Sequence, residues 1–133
     1  MHMPVTMDLK GISGISQDMR DVEAGINSGN ERATLARDMF VYRVRKFIGS
    51  YTAVLGGLDI LVFTGGIGEN QATIRELCCK DFGYLGVEID AAANKAAGGV
   101  EKVISTPSSK VKVLVVPTDE EYMIAKDTLD LVK

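Results

Sequence analysis

The chain has 133 residues, of which 46% are hydrophobic and 25% are charged, a balance typical of one soluble globular domain. A formal charge of −3, with no basic run and no basic residues interleaved with aromatic ones, argues against a nucleic-acid or anionic-membrane surface. No apolar stretch approaches a membrane span and the first seven residues lack the features of a signal peptide, so we expect a cytoplasmic protein whose partners are small molecules or other subunits.

The first segment, residues 1–10, is expected to be a start or a cloning remnant that is poorly ordered, and the folded domain is expected to cover residues 11–133. Residues 11–21 are rich in glycine and serine and predict a loop, in which Asp18 and Arg20 flank Met19. Two interpretations of Arg20 are open. It forms a surface ion pair, or it supplies a planar cation for a phosphate or a base while a carboxylate holds it in place.

A long helix is predicted from Glu31, because apolar residues then recur every three or four positions as far as Val54. Ser28 and Asn30 are both suitable N-caps for this helix. Gly56, which is followed by a second glycine, is expected to end it.

The most informative segment comes next, where the apolar run from Ile60 to Phe63 ends abruptly in Gly65, Gly66 and Gly68. The run predicts a buried strand. The glycines predict a turn that lets a ligand approach the backbone, before a helix that begins at residue 70 or 71 and ends near residue 80. A nucleotide site and a tight turn without a ligand both fit, although the segment matches neither G-x-x-x-x-G-K-[ST] nor G-x-G-x-x-G.

The remaining pattern predicts short strands at residues 86–90 and 103–105, a short helix at 91–97, a strand at 111–116 and a last helix at 119–131. Alternation of helices with buried strands indicates an α/β fold with a parallel sheet. Two principal strands make a poor sheet, so we expect the chain to be part of a larger domain whose first strands lie upstream.

The segment from Pro117 to Glu121 joins the last predicted strand to the last helix, at the same carboxyl edge of the sheet as the glycine turn. Open parallel sheets bind ligands at this edge. Thr118 and Glu121 have the spacing of a capping box. Glu120 has two open interpretations: it stabilises the first helical turn, or it is an oxygen ligand, direct or through water, of a nucleotide-bound magnesium ion.

The cysteines and the single histidine limit the chemistry that the chain can support. Cys78 and Cys79 are adjacent on a predicted helix, so their side chains diverge and packing is expected for at least Cys78. The only histidine, His2, lies in the first segment. Any chemistry in the folded body must therefore use carboxylates, arginine and backbone groups.

Three motifs together resemble the carboxyl-terminal portion of the acetate kinase (acetokinase) family. They are Gly11-Ile-Ser-Gly-Ile-Ser-Gln-Asp-Met-Arg-Asp21, Val62-Phe-Thr-Gly-Gly-Ile-Gly-Glu-Asn70 and Val116-Pro-Thr-Asp-Glu-Glu121. The resemblance covers nearly the whole chain after residue 11. It implies a partial actin-like, ribonuclease-H-like ATPase domain of the acetate and sugar kinase superfamily, with parallel strands flanked by helices. It also implies magnesium-dependent transfer between ATP and acetate, giving ADP and acetyl phosphate.

The same resemblance implies residues for the nucleotide and its metal ion. Asp18, Met19 and Arg20 would lie against the nucleotide. The adenosine part would be surrounded by Gly66, Ile67, Gly68, Glu69 and Asn70. Glu120 would match the family's magnesium-associated glutamate, and the family also implies a homodimer.

Acetate kinases are much longer than this chain. Their acetate pocket, catalytic arginines and histidines and glycine-rich phosphate loop have no counterpart in these residues. We therefore expect a fragment that keeps part of the nucleotide site and is inactive alone, because phosphoryl transfer depends on positioning and on cations around the moving group. Two alternatives are open: a non-catalytic dimerisation module, and the equivalent part of a propionate or butyrate kinase.

Overall fold

The computed structural model of the chain describes residues 7–118, 126 and 128–132. Its helices are α1 (Leu9–Ser13), α2 (Met19–Asn27), α3 (Glu31–Leu55), α4 (Gly65–Asn70), α5 (Ala72–Cys79) and α6 (Ala91–Ala96), and its strands are β1 (Ile60–Phe63), β2 (Lys102–Val103) and β3 (Lys112–Val115). Residues 126 and 128–132 are also helical. The start of the predicted last helix, with Glu120, lies outside the described residues. None of the helices in the described ranges is both long and apolar enough to cross a membrane.

The glycine- and serine-rich segment at residues 11–21 is not the predicted loop, because two helices occupy most of it. Helix α1 begins at Leu9, where the Asp8 carboxylate accepts a hydrogen bond from the Gly11 N–H at 2.8 Å. The Arg32 guanidinium, on α3, donates to the carbonyls of Gly11 and Ile12 at 3.2 and 3.0 Å and so satisfies the end of α1. Aspartate caps and packing against α3 therefore outweigh the weak helix propensity of glycine and serine.

The long helix predicted from Glu31 is confirmed as α3. Asn30 is its N-cap, since the Asn30 side-chain oxygen accepts from the Ala33 N–H at 3.1 Å. Gly56 ends the helix with a φ of 78°, a left-handed conformation that favours glycine. The buried stripe of α3 consists of Ala33, Ala36, Phe40, Val41, Val44, Ile48 and Thr52, while Val54 at its end is exposed.

The sheet has the order β1-β3-β2, and it is mixed rather than wholly parallel. Strands β1 and β3 are parallel, with Ile60 opposite Lys112 and Phe63 opposite Val115, as the predicted layout requires. Strand β2 is antiparallel to β3. Only residues 104–111 join β2 to β3, fewer than the roughly dozen residues that a crossover between parallel strands needs.

One face of the sheet is buried and the other is open among the described residues. Val113 and Val115 on β3 are fully buried on the inner face, which packs into the helical core. On the opposite face Ile60 and Val62 are 54% and 47% exposed. The prediction that β1 is a buried strand is thus wrong for this face. Burial on both faces needs a second covering layer, and the described residues supply only one.

The segment after α5 differs partly from its prediction. Residues Phe82–Leu85 form a short 3-10 helix. The strand predicted at 86–90 is reduced to a single antiparallel bridge between Ile89 and Ser105. The short helix predicted at 91–97 is confirmed as α6, whose N-cap Asp90 accepts from the Ala93 N–H at 3.1 Å.

Candidate functional site

The carboxyl ends of β1 and β3 lie side by side, as the sequence predicts. The Val116 N–H donates to the Phe63 carbonyl at 2.9 Å and continues the strand pairing. Beyond it, the hydroxyl oxygens of Thr64 and Thr118 are 2.7 Å apart. The Gly65 N–H donates to the Thr118 hydroxyl at 3.1 Å. The loop after β3 therefore contacts the glycine segment after β1 directly, and the two strand exits share one border.

The glycine segment is helix α4 rather than a turn that precedes a helix. The chain becomes helical at Gly65, whose φ is 76°, before the helix predicted to follow the glycines. The Asn70 side-chain amide donates to the Gly66 carbonyl at 2.9 Å and stabilises this single turn. A short break at Gln71 then separates α4 from α5. The helix predicted from residue 70 or 71 to about residue 80 is confirmed as α5, whereas the predicted glycine turn before it is helical.

Two of these glycines have different surroundings. A Cβ atom at Gly68 would lie 3.3 Å from the Phe63 carbonyl carbon, so a side chain there would press on β1. A Cβ atom at Gly66 would have no neighbour within 4 Å. The surface at Gly66 is open to an approaching ligand, whereas Gly68 allows α4 to lie close to the strand.

Glu69 and Ile67 face different environments within α4. The Thr118 N–H points to a Glu69 carboxylate oxygen at 3.4 Å, the long limit of a hydrogen bond. Ile67 is partly buried and packs against the core. The Glu69 carboxylate therefore lies at the border between the strands, and Ile67 packs α4 against the rest of the protein.

Arg75, on α5, is the most notable side chain that the sequence did not point to. It is 1% exposed, and its guanidinium donates to the carbonyls of Gly68 and Glu69, both at 2.9 Å. It also donates to the side-chain oxygen of Asn94 at 2.7 Å and to the Asn94 carbonyl at 2.6 Å. Burial lowers the pKa of Arg75 from its ordinary value. The only sequence feature that could have indicated this burial was the position of a charged residue beside the apolar Ile74 on a short helix.

Asp18, Met19 and Arg20 lie at the start of α2. The Asp18 carboxylate caps α2 by accepting from the Arg20 N–H at 2.9 Å and binds the Arg20 guanidinium at 2.6 Å. These hydrogen bonds, the side-chain one first, lower the pKa of Asp18 to about 2 and raise that of Arg20. The Arg20 side chain is 79% exposed, so the ion pair faces solvent. The Met19 side chain is instead 2% exposed and belongs to the hydrophobic core.

The two sets of predicted nucleotide residues belong to different parts of the described structure. Helix α2 packs on α3, whereas α4 packs on α5, and α3 and α5 pack on each other. No hydrogen bond or ion pair among the described residues links 18–20 with 66–70. Any ligand that contacts both sets must therefore bridge the surface between them.

The cysteines are structural in the described part of the chain. Cys78 and Cys79 are both buried and free, and burial raises the pKa of each thiol to about 12. The expectation of packing for Cys78 is confirmed and extends to Cys79. Within the described ranges, no cluster of three or more histidine, cysteine, aspartate or glutamate side chains is suited to a metal ion.

Comparisons with known proteins agree on one family. Residues 6–126 match the model described as the acetokinase family. An acetate kinase of Porphyromonas gingivalis is 56% identical over 123 residues, which are 92% of this chain and 31% of that protein. The chain thus spans about a third of the length of the curated relatives it matches.

Solved structures show the same relationship. The crystal structure of Porphyromonas gingivalis acetate kinase superposes with a TM-score of 0.87 at 54% identity, covering 94% of this chain and 31% of that one. The crystal structure of a propionate kinase from Francisella tularensis superposes with a TM-score of 0.78 at 42% identity, covering 89% of this chain and 29% of that one. The expected actin-like α/β fold is confirmed in its partial form.

Proposed function

Because this chain belongs to the acetokinase family, we propose that the border between β1 and β3 is the nucleotide-binding part of an ATP-dependent acetate kinase. In the complete enzyme, a phosphoryl group passes between ATP and acetate and gives ADP and acetyl phosphate. The chain corresponds to the carboxyl-terminal portion of such an enzyme, which acts in the cytoplasm.

The contact between Thr118 and the glycine segment carries this proposal. Thr118 bonds to both Thr64 and Gly65, so the loop after β3 lies at the edge of α4 as far as Thr118. The exposed surface at Gly66 lies in the same segment. A nucleotide seated there has glycine backbone beside its adenosine part and acidic side chains near the metal that accompanies its phosphates.

Each inherited residue has a distinct part in this proposal. Residues Gly66, Ile67, Gly68, Glu69 and Asn70 surround the adenosine. Asp18, through its ion pair, orients Arg20 toward the nucleotide, while Met19 contributes by fixing the start of α2 in the core. Glu120, outside the described residues, holds the magnesium ion directly or through water.

The described residues fit a magnesium ion bound mainly through water and phosphate. Near Thr118 they offer the Glu69 carboxylate and two threonine hydroxyls, which are oxygen donors of the kind magnesium prefers. Magnesium usually keeps several waters and takes one or two protein carboxylates, so a larger acidic cluster is not required. When bound, the ion neutralises charge on the phosphate oxygens.

We place the chemical step outside the reach of this chain alone. Phosphoryl transfer needs cations aimed at the moving group. Among the described arginines near the predicted sites, Arg20 is paired with Asp18 and Arg75 is buried against carbonyl groups. Neither side chain is free to neutralise a transferring phosphoryl group. The chain therefore binds nucleotide weakly and does not turn over.

Titration calorimetry with magnesium-ATP tests the binding part of this proposal. We expect heat of binding at millimolar nucleotide for the unaltered chain and a loss of at least tenfold in affinity for Gly66→Val, which fills the open surface. Gly83→Val is the matched control, since a Cβ atom there also meets nothing within 4 Å. Absence of heat from the unaltered chain, or equal affinity in both variants, would contradict the proposed site.

A coupled assay for acetyl phosphate formation tests the second part. We expect no turnover from the purified chain with magnesium-ATP and acetate. Steady turnover that disappears in Gly66→Val would show that the chain carries its own catalytic groups. Propionate and butyrate are tested in the same assay. We favour acetate because relatives named acetate kinase reach 57% identity.

A second candidate function is self-association, supported by the open face and edge of β1. Ile60 and Val62 project apolar side chains from a strand that, among the described residues, pairs on one side only. Exposed strand edges invite pairing with another chain. Sedimentation velocity should show a dimer that dissociates in Ile60→Lys with Val62→Lys. Tyr84→Lys, at a residue 78% exposed on the 3-10 helix, should leave the dimer intact.

A further inference from the structure

The buried guanidinium of Arg75, on α5, bonds to two of the helices that pack against α5, namely α4 and α6. Its four hydrogen bonds reach the last residues of α4 and both the backbone and the side chain of Asn94 in α6. The Asn94 amide in turn donates to the Ala72 carbonyl at 2.9 Å, at the start of α5. Arg75 and Asn94 are each 1% exposed. The two side chains form one closed polar network.

Helix α4 depends on this network more than a typical helix depends on its neighbours. None of its six residues is fully buried, and Gly65, Gly66 and Gly68 each favour the unfolded backbone. An isolated turn of this composition is not stable in water. The Gly68 and Glu69 carbonyls that Arg75 binds are among those left without a partner at a helix end. Arg75 thus supplies the bonds that the helix itself lacks.

The chemistry of Arg75 is also unusual for a buried charge. It forms no ion pair with any described carboxylate, so carbonyl and amide oxygens alone solvate it. Buried charges are normally retained only where they are paired or have a specific role. The planar guanidinium presents donors in several fixed directions, which a lysine ammonium cannot match.

We propose that Arg75 is a positioning residue that, through Asn94, holds the backbone of Gly65–Asn70 in its ligand-binding conformation. The effect on nucleotide affinity rests on the proposed function, whereas the effect on the conformation of α4 does not. Glu69 and the open surface at Gly66 keep their places beside Thr118 because Arg75 fixes the end of α4.

Amide hydrogen exchange on the full chain tests the conformational part. In Arg75→Met, we expect amides of residues 65–71 to exchange at least tenfold faster relative to those of β3. Arg75→Lys should show a smaller increase. Ile74→Val is the control, because Ile74 is a neighbouring buried residue of α5 that makes none of these polar contacts. A merely structural role would speed exchange in α4 and β3 together, as Ile74→Val would.

Calorimetry with magnesium-ATP on the same variants tests the consequence. We expect a tenfold or greater loss of affinity in Arg75→Met, a smaller loss in Arg75→Lys and little change in Ile74→Val. Unchanged exchange of α4 relative to β3 in Arg75→Met, or in Arg75→Lys if the first variant does not fold, would overturn the proposal. Failure of both variants to fold would also overturn it, since Arg75 would then support the whole domain. If the unaltered chain binds no nucleotide, the proposed function fails and the exchange result still decides the role of Arg75.

Discussion

The hydroxyl oxygens of Thr64 and Thr118 lie 2.7 Å apart although 54 positions separate the two residues in the chain. Thr64 directly follows β1, and Thr118 lies three residues after the end of the parallel strand β3. Their contact therefore records how closely the two strand exits approach. It also gives Gly65, the first residue of α4, a hydrogen-bond acceptor from a distant part of the sequence.

Removal of the Thr118 hydroxyl should weaken ligand binding without unfolding the protein. In Thr118→Val, the shape of the side chain is kept while the bonds to Thr64 and Gly65 are lost. A single hydrogen bond contributes about 1 kcal/mol, so we expect nucleotide affinity to fall about 3- to 10-fold. Thr118→Ser keeps the hydroxyl and should retain most of the affinity. Calorimetry compares the two variants, and equal affinities would contradict a role for this hydroxyl.

Met19 should behave as a core residue. Met19→Ala removes a buried side chain and should lower the free energy of unfolding by about 2–5 kcal/mol. Met19→Leu preserves the volume and should lower it by less than about 1.5 kcal/mol. Urea unfolding followed by circular dichroism measures both. If Met19→Leu left stability unchanged but abolished nucleotide binding, the side chain would have to contact the ligand.

The Asp18 carboxylate should make folding stability depend on pH in the acid range. Its hydrogen bonds from Arg20 lower its pKa from 3.8 to about 2, so the folded state favours the ionised form. The stabilisation is present above about pH 4 and is lost as the pH falls toward 2. In Asp18→Asn, which keeps a capping oxygen, we expect a weaker fall in stability across this range.

Urea midpoints at several pH values between 2 and 6 check this prediction. Arg20→Gln removes the cause of the pKa shift and should also flatten the dependence. The double variant should add little to the effect of Asp18→Asn alone, because both changes interrupt the same pair. If stability fell more steeply with decreasing pH in Asp18→Asn than in the unaltered chain, the proposed stabilisation by the ionised Asp18 carboxylate would be contradicted.

The thiols of Cys78 and Cys79 should be unreactive in the folded protein. Burial raises the pKa of each from 9.0 to about 12, and the thiolate is the reactive form. At pH 8 we expect alkylation by iodoacetamide to be at least about a hundredfold slower than in urea-unfolded chain. Since the unfolded thiols ionise first, stability should also decline as the pH rises from about 9 toward 12. Mass spectrometry of the labelled chain measures the rates.

Features with a local cause could be predicted from the sequence. Helix α3 has a periodic apolar stripe, the cap Asn30 and the terminator Gly56, and all three signals lie in one continuous segment. The pairing of β1 with β3 followed from two apolar runs and the rules for parallel connections. The shared strand edge followed from that pairing, so Thr118 was expected near the glycine segment.

Features that depend on distant partners could not be predicted. The carbonyl groups at the end of α1 accept hydrogen bonds from Arg32, which no local sequence signal connects to Gly11. The partners of Arg75 lie in α4 and α6, so its burial depends on how these elements pack. The exposure of Ile60 and Val62 on β1 depends on whether a second layer covers that face, which the local sequence of the strand does not reveal. The assignments of Asp18, Met19, Arg20 and Glu120 to a nucleotide and its metal stay predictions.

The distance along the chain between paired elements also determines the order in which they form during folding. Helices α1, α2 and α3 are neighbours in sequence and pack on one another, so short loops suffice to bring them together. Strand β1 must instead find β3 about fifty residues further on, which closes a much longer loop at a greater entropic cost. The helical half of the chain should consequently assemble first during refolding. The border between β1 and β3, which requires both strands to be paired, would form last.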